Sequence, residues 1–370
     1  MKKILLFLTT LLPIAAQAQL NGDGYYRILN NASERYITIN NDIVGEVNMS
    51  ATKADLSNIV TWRGFDYAKS NPASIIYIND VGNQQYNLSA QGTSIYKIAG
   101  GKTYLDILSR NGCYLLSVSY GGFNGKLEDS SDSRTKGSVT HANTVTQYMY
   151  WRILPVDTED NYIGLQPTVE ATDGWYGTLY AEYPFKKVSD GIKIYYVDGI
   201  DDGRFQLQEI TDDIIPGATP LVFKCSSNDP AQNKIMPVYT DTFAPDGNKL
   251  NGTYFACTTN GHEEYVEYSS KKMRVLGVDA DKNLILTKAS ESYLADGWMI
   301  PMNTCWYNIT NSYTGDYKLV SRDDFTGIRS INTDADNANS ATYTLTGVKV
   351  ESKTPKPGIY IRNGKKVVIK

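Results

Sequence analysis

The side chains that most often carry catalysis are scarce in this chain. There are two histidines, His141 and His262, far apart in the sequence. Neither neighbourhood, THANT or GHEEY, contains a nucleophile that a histidine base could activate. A zinc protease needs a second histidine four residues after the first, and Val266 stands at that position after His262. We therefore predict no catalytic residue, no metal site and no cofactor, with both histidines in solvated loops.

One group of acidic side chains is spaced like a metal-binding loop. Asp279, Asp281 and Asn283 match the first three ligands of an EF-hand calcium loop. That loop also requires glycine at its sixth position and glutamate at its twelfth, where this chain has Leu284 and Ser290. We predict that the segment is a turn between two strands.

Paired carboxyl groups can hydrolyse a glycoside without a histidine. Glu170 and Glu182 are candidates, but 40 acidic residues are present and no spacing singles out a pair. A carboxylate-dependent glycoside hydrolase is therefore the alternative function.

Aromatic side chains beside turns offer a different chemistry, because an exposed ring can stack on a sugar. Trp175 and Tyr176 follow an Asp-Gly turn, and Tyr120 precedes a Gly-Gly pair. We predict these three as ligand-binding residues, with packing inside the core as the alternative interpretation.

The elements that must position these side chains are β-strands. The chain has 28 tyrosines and 30 glycines, and short runs such as YITIN, SIIYIN and KIYYV alternate apolar and polar residues. Asn, Asp and Gly between the runs are typical of turns. No long segment shows the spacing of an amphipathic helix, so we predict an all-β protein.

The first of three regions, residues 23–156, repeats a strand–turn–strand unit. We place Tyr36, Tyr86 and Leu115 at matching positions of three lobes around a shared core, which predicts a β-trefoil-like domain. The intervals between these positions are unequal, although a repeat requires a fixed period. A β-sandwich or irregular barrel is therefore the alternative.

The opening segment, GYYRI followed by RYITI, resembles the lobes of ricin-B-like lectins. The resemblance implies a sugar-binding trefoil. That family usually carries a Gln-x-Trp motif, and the nearest match here, Gln147-Tyr-Met-Tyr-Trp151, has two additional residues. No ligand residue is transferred from the family.

Residues 161–311 form the second region, which we predict to be a β-rich domain, either a sandwich or an irregular barrel. Turns at Ser189-Asp190-Gly191 and Ile215-Pro216-Gly217 each precede a strand. The segments TLYA and YYV, together with the GYYRI start, resemble a group of uncharacterised secreted Bacteroidetes proteins. The resemblance implies export and brings no activity.

The third region is a tail that follows a polar linker at residues 327–340. Residues 341–370 form a small β-module in which Asn363-Gly364 predicts a hairpin turn. The ending GIYIRNGKKVVIK resembles the C-terminal sorting domains of type IX secretion. The resemblance implies an export signal, and a terminal hairpin packed on the protein is the alternative.

The N-terminus predicts export across the inner membrane. Residues 1–18 combine Lys2 and Lys3, an apolar core and a cleavage site between Ala18 and Gln19, as in a signal peptide. The apolar core is too short to span a bilayer, and no later run is longer. Cleavage leaves 34 basic against 40 acidic residues, a balance that disfavours nucleic acid as a partner.

Four cysteines remain in a compartment that permits disulfides: Cys113, Cys225, Cys257 and Cys305. Sequence alone does not choose among their pairings, and buried free thiols are an equal alternative. Taken together, these features predict a secreted or cell-surface protein that is a non-enzymatic binding module. Its expected partners are glycans or surface proteins, and the export machinery.

Overall fold

The computed structural model describes residues 20–39, 59–94, 104–120, 123–129, 136–201, 203–254, 266–326, 342–350, 356–362 and 365–369. The signal peptide with Ala18 and Gln19, the linker at residues 327–340, Cys257 and His262 lie outside these ranges, as does the side chain of Tyr120. Strands dominate the described residues, which confirms the all-β prediction. The α-helices within them are α1 (Phe65–Ala68) and α2 (Arg322–Thr326), and the 3-10 turns are Pro72–Ser74, Gln147–Met149 and Pro230–Gln232.

The first region contains eleven strands that belong to one sheet. They are β1 (Gly24–Asn30), β2 (Arg35–Ile39), β3 (Ile59–Arg63), β4 (Ile76–Gly82), β5 (Gln85–Ala90), β6 (Thr93–Ser94), β7 (Tyr104–Arg110), β8 (Cys113–Tyr120), β9 (Phe123–Asp129), β10 (Lys136–Ala142) and β11 (Trp151–Pro155).

Six of these strands close into a ring. The antiparallel pairs β1–β4, β4–β5, β5–β7, β7–β8, β8–β11 and β11–β1 leave no ring strand with a free edge. The strands β2 and β3, β6, and β9 and β10 lie in sequence between consecutive ring strands. This closed six-stranded barrel with three insertions is the β-trefoil arrangement, as predicted.

Each ring strand contributes an apolar side chain to one core, because alternate residues of a strand face the same side. The contributions include Ile28, Ile78, Leu88, Ile107, Leu116 and Ile153, all 4% exposed or less. Trp151 lies in the same core and donates from its indole Nε1 to the Leu127 carbonyl at 3.0 Å.

One of the three positions predicted to match among the lobes is wrong. Tyr86 and Leu115 lie in β5 and β8, the first strands of the second and third lobes, but Tyr36 lies in β2, the second strand of the first lobe. The lobes begin at Gly24, Gln85 and Cys113, so their lengths differ widely. A tyrosine followed by alternating apolar residues marks many strands, and the pattern does not show which strand of a lobe it is.

A buried carboxylate connects the β2–β3 hairpin to the β9–β10 hairpin through hydrogen bonds. Asp129 of β9 accepts hydrogen bonds from Arg35 Nε at 2.8 Å, Thr61 Oγ1 at 2.7 Å and the Ser33 hydroxyl. The side chains of Arg35 and Asp129 are both fully buried. A β-carbon on Gly137 would lie 2.7 Å from Asp129 Oδ1, so this cluster requires glycine there.

The second region contains two sheets, and its predicted boundary at residue 311 is wrong, because the strand Tyr317–Ser321 pairs within the larger sheet. Its strands are β12 (Ile163–Gly164), β13 (Val169–Ala171), β14 (Gly174–Leu179), β15 (Phe185–Lys187), β16 (Lys193–Asp201), β17 (Arg204–Glu209), β18 (Ile214–Ile215), β19 (Leu221–Cys225), β20 (Lys234–Pro237), β21 (Leu250–Thr253), β22 (Met273–Val278), β23 (Leu284–Thr287), β24 (Thr304–Asn308) and β25 (Tyr317–Ser321). The small sheet has the order β12-β20-β15-β18, and the large one β13-β14-β19-β16-β17-β25-β23-β22-β24-β21.

The large sheet curls into a half-barrel. Its strands β13 and β14 come back against β22 and β24 without pairing with them. One face encloses a core to which strands along the whole sheet contribute, and the other face packs on the small sheet. In β19, Leu221 and Phe223 belong to the core between the sheets and Val222 to the core inside the half-barrel. Burial on both faces explains the continuous apolar run at this strand.

The tail forms a sheet of its own. Its strands are β26 (Thr342–Thr344), β27 (Lys349–Val350), β28 (Gly358–Arg362) and β29 (Lys365–Ile369), in the order β27-β26-β28-β29. The predicted Asn363-Gly364 turn lies outside the described residues, but Arg362 and Lys365 on either side of it pair with each other.

Candidate functional site

The open side of the half-barrel forms a groove of about 680 Å³. Its floor is the edge of the inner core, where Tyr176, Leu284 and Leu319 are buried and Tyr195 and Leu207 are half-buried. Charged side chains of both signs border it: Asp173, Lys193, Glu209, Lys318, Arg322, Asp323 and Asp324. We call this cavity the half-barrel groove.

In the wall of the half-barrel groove, Asp173, Tyr176 and Lys224 are joined by hydrogen bonds and an ion pair. The Tyr176 hydroxyl lies 3.1 Å from both carboxylate oxygens of Asp173, and Lys224 Nζ lies 2.5 Å from Asp173 Oδ2. Lys224 Nζ is also 5.7 Å from the centroid of the Tyr176 ring. Burial acts to raise the pKa of Asp173, but the hydrogen bonds from Lys224 and Tyr176 outweigh it and lower that pKa. Asp173 is therefore an anion at neutral pH.

Next to this group, β16 and β17 place a second carboxylate beside a tyrosine. Tyr195 and Glu209 are directly paired across the two strands, and Lys193 Nζ lies 3.1 Å from Glu209 Oε2. Burial, and then the negative charges of Glu209 and Asp173, raise the pKa of Tyr195 to about 12. The Tyr195 hydroxyl is therefore protonated and can donate a hydrogen bond, with two anionic groups in its surroundings.

The structure separates the aromatic residues that the sequence grouped. Trp175 and Tyr176 are neighbours in β14, so they face opposite sides of the sheet. Tyr176 is 6% exposed and lies in the lining of the half-barrel groove, while Trp175 is half-buried on the other face, opposite Cys225. Tyr120 ends β8 in the trefoil, and the orientation of its side chain is outside what the structure describes.

The residues that the sequence considered for other chemistry are dispersed. His141 lies in β10, paired with Leu127, rather than in the loop that we predicted. Asp279 accepts backbone hydrogen bonds from Asp281 and Asn283 at 2.9 and 2.8 Å, which makes the predicted turn between β22 and β23. Within the described residues, no three His, Cys, Asp or Glu side chains are grouped to hold a metal ion.

The two carboxyl groups that the sequence named for hydrolysis are also apart. Glu170 is exposed and lies 2.9 Å from Lys282 Nζ. Glu182 is half-buried where the two regions meet and accepts a hydrogen bond from the Gly92 backbone. Burial raises the pKa of Glu182 despite that hydrogen bond. Glu170 is therefore paired with a lysine, and Glu182 lies away from the half-barrel groove.

The groove residues that sequence reasoning missed include Tyr195, Glu209, Lys193 and Lys318. Each occupies an ordinary position in an alternating strand, so its local pattern carries no distinctive signal. They line the same groove because β17 pairs in parallel with β25, more than a hundred residues later in the chain. Alternation predicts that such side chains face one side, but it does not predict which distant strand lies beside them.

Comparison with known proteins adds little. No family model matches the chain, and no curated protein matches it. A designed three-fold symmetric protein, ThreeFoil, is 16% identical over 36% of this chain and all of its own, with a TM-score of 0.27. A mosquitocidal holotoxin is 10% identical over 79% of this chain and 35% of its own, also with a TM-score of 0.27. Likeness at this level supports no argument about fold or function. None of the helices described is long and apolar enough to cross a membrane.

Proposed function

We propose that this chain is an exported, non-enzymatic binding protein that takes an oligosaccharide into the half-barrel groove. The observation that supports the proposal best is the environment of the Tyr195 hydroxyl in the groove. Burial and the negative charges of Glu209 and Asp173 raise its pKa, so it is a hydrogen-bond donor, and it lies beside the apolar floor of the groove. Ligand sites generally combine an apolar lining with a few placed polar groups.

The chemistry of the groove suits sugar hydroxyl groups. Carboxylates accept hydrogen bonds from hydroxyl groups, and Lys193 and Lys318 can donate to their oxygens. Charge-assisted hydrogen bonds of this kind are stronger than neutral ones. The half-buried ring of Tyr195 offers an apolar surface for the C–H face of a sugar.

Binding is favoured over hydrolysis by the ionisation of the groove. A glycosidase needs a carboxylic acid that is still protonated at its working pH. The pKa of Asp173 is lowered, and Glu209 forms an ion pair with Lys193. Glu182, whose pKa is raised, lies at the junction of the two regions.

The test is a glycan array with the mature chain, followed by calorimetry on a hit. We expect Tyr195→Phe and Glu209→Gln each to weaken binding about tenfold or more, because each removes one hydrogen-bonding group. Glu170→Gln is the matched control for Glu209, since both are strand glutamates paired with a lysine. Tyr343→Phe, in the tail sheet, is the control for Tyr195.

The outcomes separate the alternatives. Binding that is unchanged in both groove variants would place the site elsewhere and overturn the proposal. Release of reducing sugar from a bound glycan, lost in Glu209→Gln, would show a hydrolase instead. An array without any hit, together with a protein captured through the groove, would replace the glycan by a protein ligand.

We also propose that the protein is secreted or displayed on the cell surface. The signal-peptide pattern of residues 1–18 supports export, and the likeness of the tail to type IX sorting domains supports a second step. N-terminal sequencing of exported protein tests the first step: Gln19 is expected, and Met1 would contradict it.

A further inference from the structure

One face of the tail sheet presents apolar side chains to solvent. Residues that pair across antiparallel strands have their side chains on the same face, as do alternate residues of one strand. Tyr343 of β26 pairs with Ile361 of β28, and Ile359 of β28 pairs with Val368 of β29. These four side chains therefore share a face. Tyr343, Ile359 and Val368 are 39%, 42% and 66% exposed.

Two lysines extend this face onto the edges of the sheet. The strand order is β27-β26-β28-β29, so β27 and β29 are the edge strands. Lys349 of β27 pairs with Tyr343, and Lys366 of β29 pairs with Ile361, so both lysines lie on the same face as the apolar side chains. Both are exposed. We call these six residues the tail face: apolar side chains on both central strands and a lysine on each edge strand.

The charge of the tail indicates what the tail face can bind. Residues 341–370 contain seven basic residues and one acidic residue, Glu351, which leaves a net side-chain charge of +6 in a chain whose net charge is −4. Exposed apolar patches mark interaction surfaces. Lysine is depleted from protein–protein interfaces, so the lysines on both edges argue against a protein partner. An anionic bilayer accepts both kinds of side chain, because its headgroups attract cations and its acyl boundary takes up apolar groups.

We propose that the tail face binds the surface of an anionic lipid membrane. Tyr343, Ile359 and Val368 enter the boundary between headgroups and acyl chains, while Lys349 and Lys366 contact lipid phosphates. A lysine can do this at the edge of an apolar patch, since its methylene groups lie along apolar surface while its ammonium stays in the polar layer. This binding does not depend on the half-barrel groove or on whether the tail acts as a sorting signal.

The test is co-sedimentation of the mature chain with two kinds of vesicle in about 0.1 M salt, where charges interact over about 10 Å. One kind is phosphatidylcholine alone, and the other is equal parts of phosphatidylcholine and phosphatidylglycerol. We expect the anionic vesicles to bind the protein about tenfold more tightly or better, because each lysine near an anionic surface adds attraction. Added salt should reduce this preference, because it screens the charges.

A first double variant tests the charges of the tail face. Lys349→Gln with Lys366→Gln should weaken binding to the anionic vesicles about tenfold and change binding to phosphatidylcholine little. Lys271→Gln with Lys272→Gln is the matched control, since it removes the same charge from exposed positions of the second region. We expect the control to bind like the parent.

A second double variant tests the apolar contacts. Ile359→Thr with Val368→Thr keeps both positions β-branched, which suits a strand, and removes apolar surface, so binding should weaken about tenfold. Val188→Thr with Ile200→Thr is the matched control, because these residues of the second region are 40% and 41% exposed. Amide hydrogen exchange of β28 reports whether the tail sheet is still folded in each variant.

Three results would overturn the proposal. One is failure to bind the anionic vesicles, or equal binding to both kinds of vesicle. Another is binding that neither tail variant changes although the amides of β28 remain protected. The third is a dimer in sedimentation velocity that Ile359→Thr with Val368→Thr dissociates, because a second copy of the chain would then cover the tail face.

Discussion

Arg27 of β1 donates through Nη1 to both oxygens of Asn161, at 3.0 Å to the backbone carbonyl and 2.8 Å to Oδ1. Its Nε donates to Ser74 Oγ at 3.0 Å, and its Nη2 to the Ala68 carbonyl, also at 3.0 Å. Arg27 is 0% exposed, and burial lowers its pKa to about 10. One guanidinium thus joins the trefoil barrel, the segment after α1 and the beginning of the second region.

Arg27→Met is expected to destabilise the protein by about 3 kcal/mol, because it leaves buried acceptors without donors. Urea unfolding followed by tryptophan fluorescence measures the change. Arg63→Met, which removes an exposed arginine from β3, is the control and is expected to change the stability by less than about 0.5 kcal/mol. Equal effects of the two variants would mean that the Arg27 hydrogen bonds contribute nothing specific.

Stability should also depend on pH through Glu182. Its folded-state pKa is raised above the ordinary value of 4.5, first of all by burial. The folded state then holds the proton of Glu182 more tightly than the unfolded state does. The stability that this protonation contributes is therefore complete below pH 4.5 and is lost as pH rises through the folded pKa. Glu182→Gln should match the parent below pH 4.5 and be more stable than it at neutral pH.

Thermal unfolding between acid and neutral pH tests this difference. Glu170→Gln is the control, because Glu170 is exposed and forms an ion pair with Lys282. The thermal stability of Glu170→Gln relative to the parent should not increase as pH rises. A Glu182→Gln variant that is less stable than the parent at neutral pH would contradict the burial argument.

Much of the fold follows from the sequence, because alternation and turn residues act locally. The strand of IKIYYV and the turn at Asp279 are examples, since each depends on neighbours within a few residues. The half-barrel groove does not follow, because its residues from β17 and from β25 are brought side by side by the long-range pairing of these two strands. Tyr176 was predicted to bind a ligand from its turn, but its burial depends on how the whole sheet curls.

The cysteines present a further test. Cys113, Cys225 and Cys305 are buried free thiols, and burial raises the pKa of Cys225 and of Cys305 to about 12. Because the thiolate is the reactive form, these groups should react slowly with Ellman's reagent in the native protein at about pH 8. In a Cys257→Ser background, three thiols should react at once after unfolding in urea. Rapid reaction of the native protein, or fewer than three thiols after unfolding, would show that the cysteines are exposed or paired.

The last prediction concerns where the second region ends. The ring of Phe325 in α2 lies over Gly199, where an added β-carbon would be 3.0 Å from Phe325 Cζ. The centroid of the same ring is 5.9 Å from Cζ of Arg204. Phe325 is therefore part of the half-barrel packing, whereas the strands of the tail sheet pair with one another. A chain of residues 19–326 should unfold within about 2 °C of the mature protein, because it loses none of the described half-barrel contacts.

A chain of residues 19–324 is the matched comparison, since it differs only by Phe325 and Thr326. It should unfold several degrees lower, because a partly buried aromatic ring is worth about 1 kcal/mol or more, and about 1 kcal/mol shifts Tm by a few degrees in a domain of this size. In a host with type IX secretion, the 19–326 chain preceded by its signal peptide should stay in the periplasm. If that chain is destabilised as much as the shorter one, the tail supports the second region. If it is stable and still reaches the surface, the tail is an independent unit that does not act as a sorting signal there.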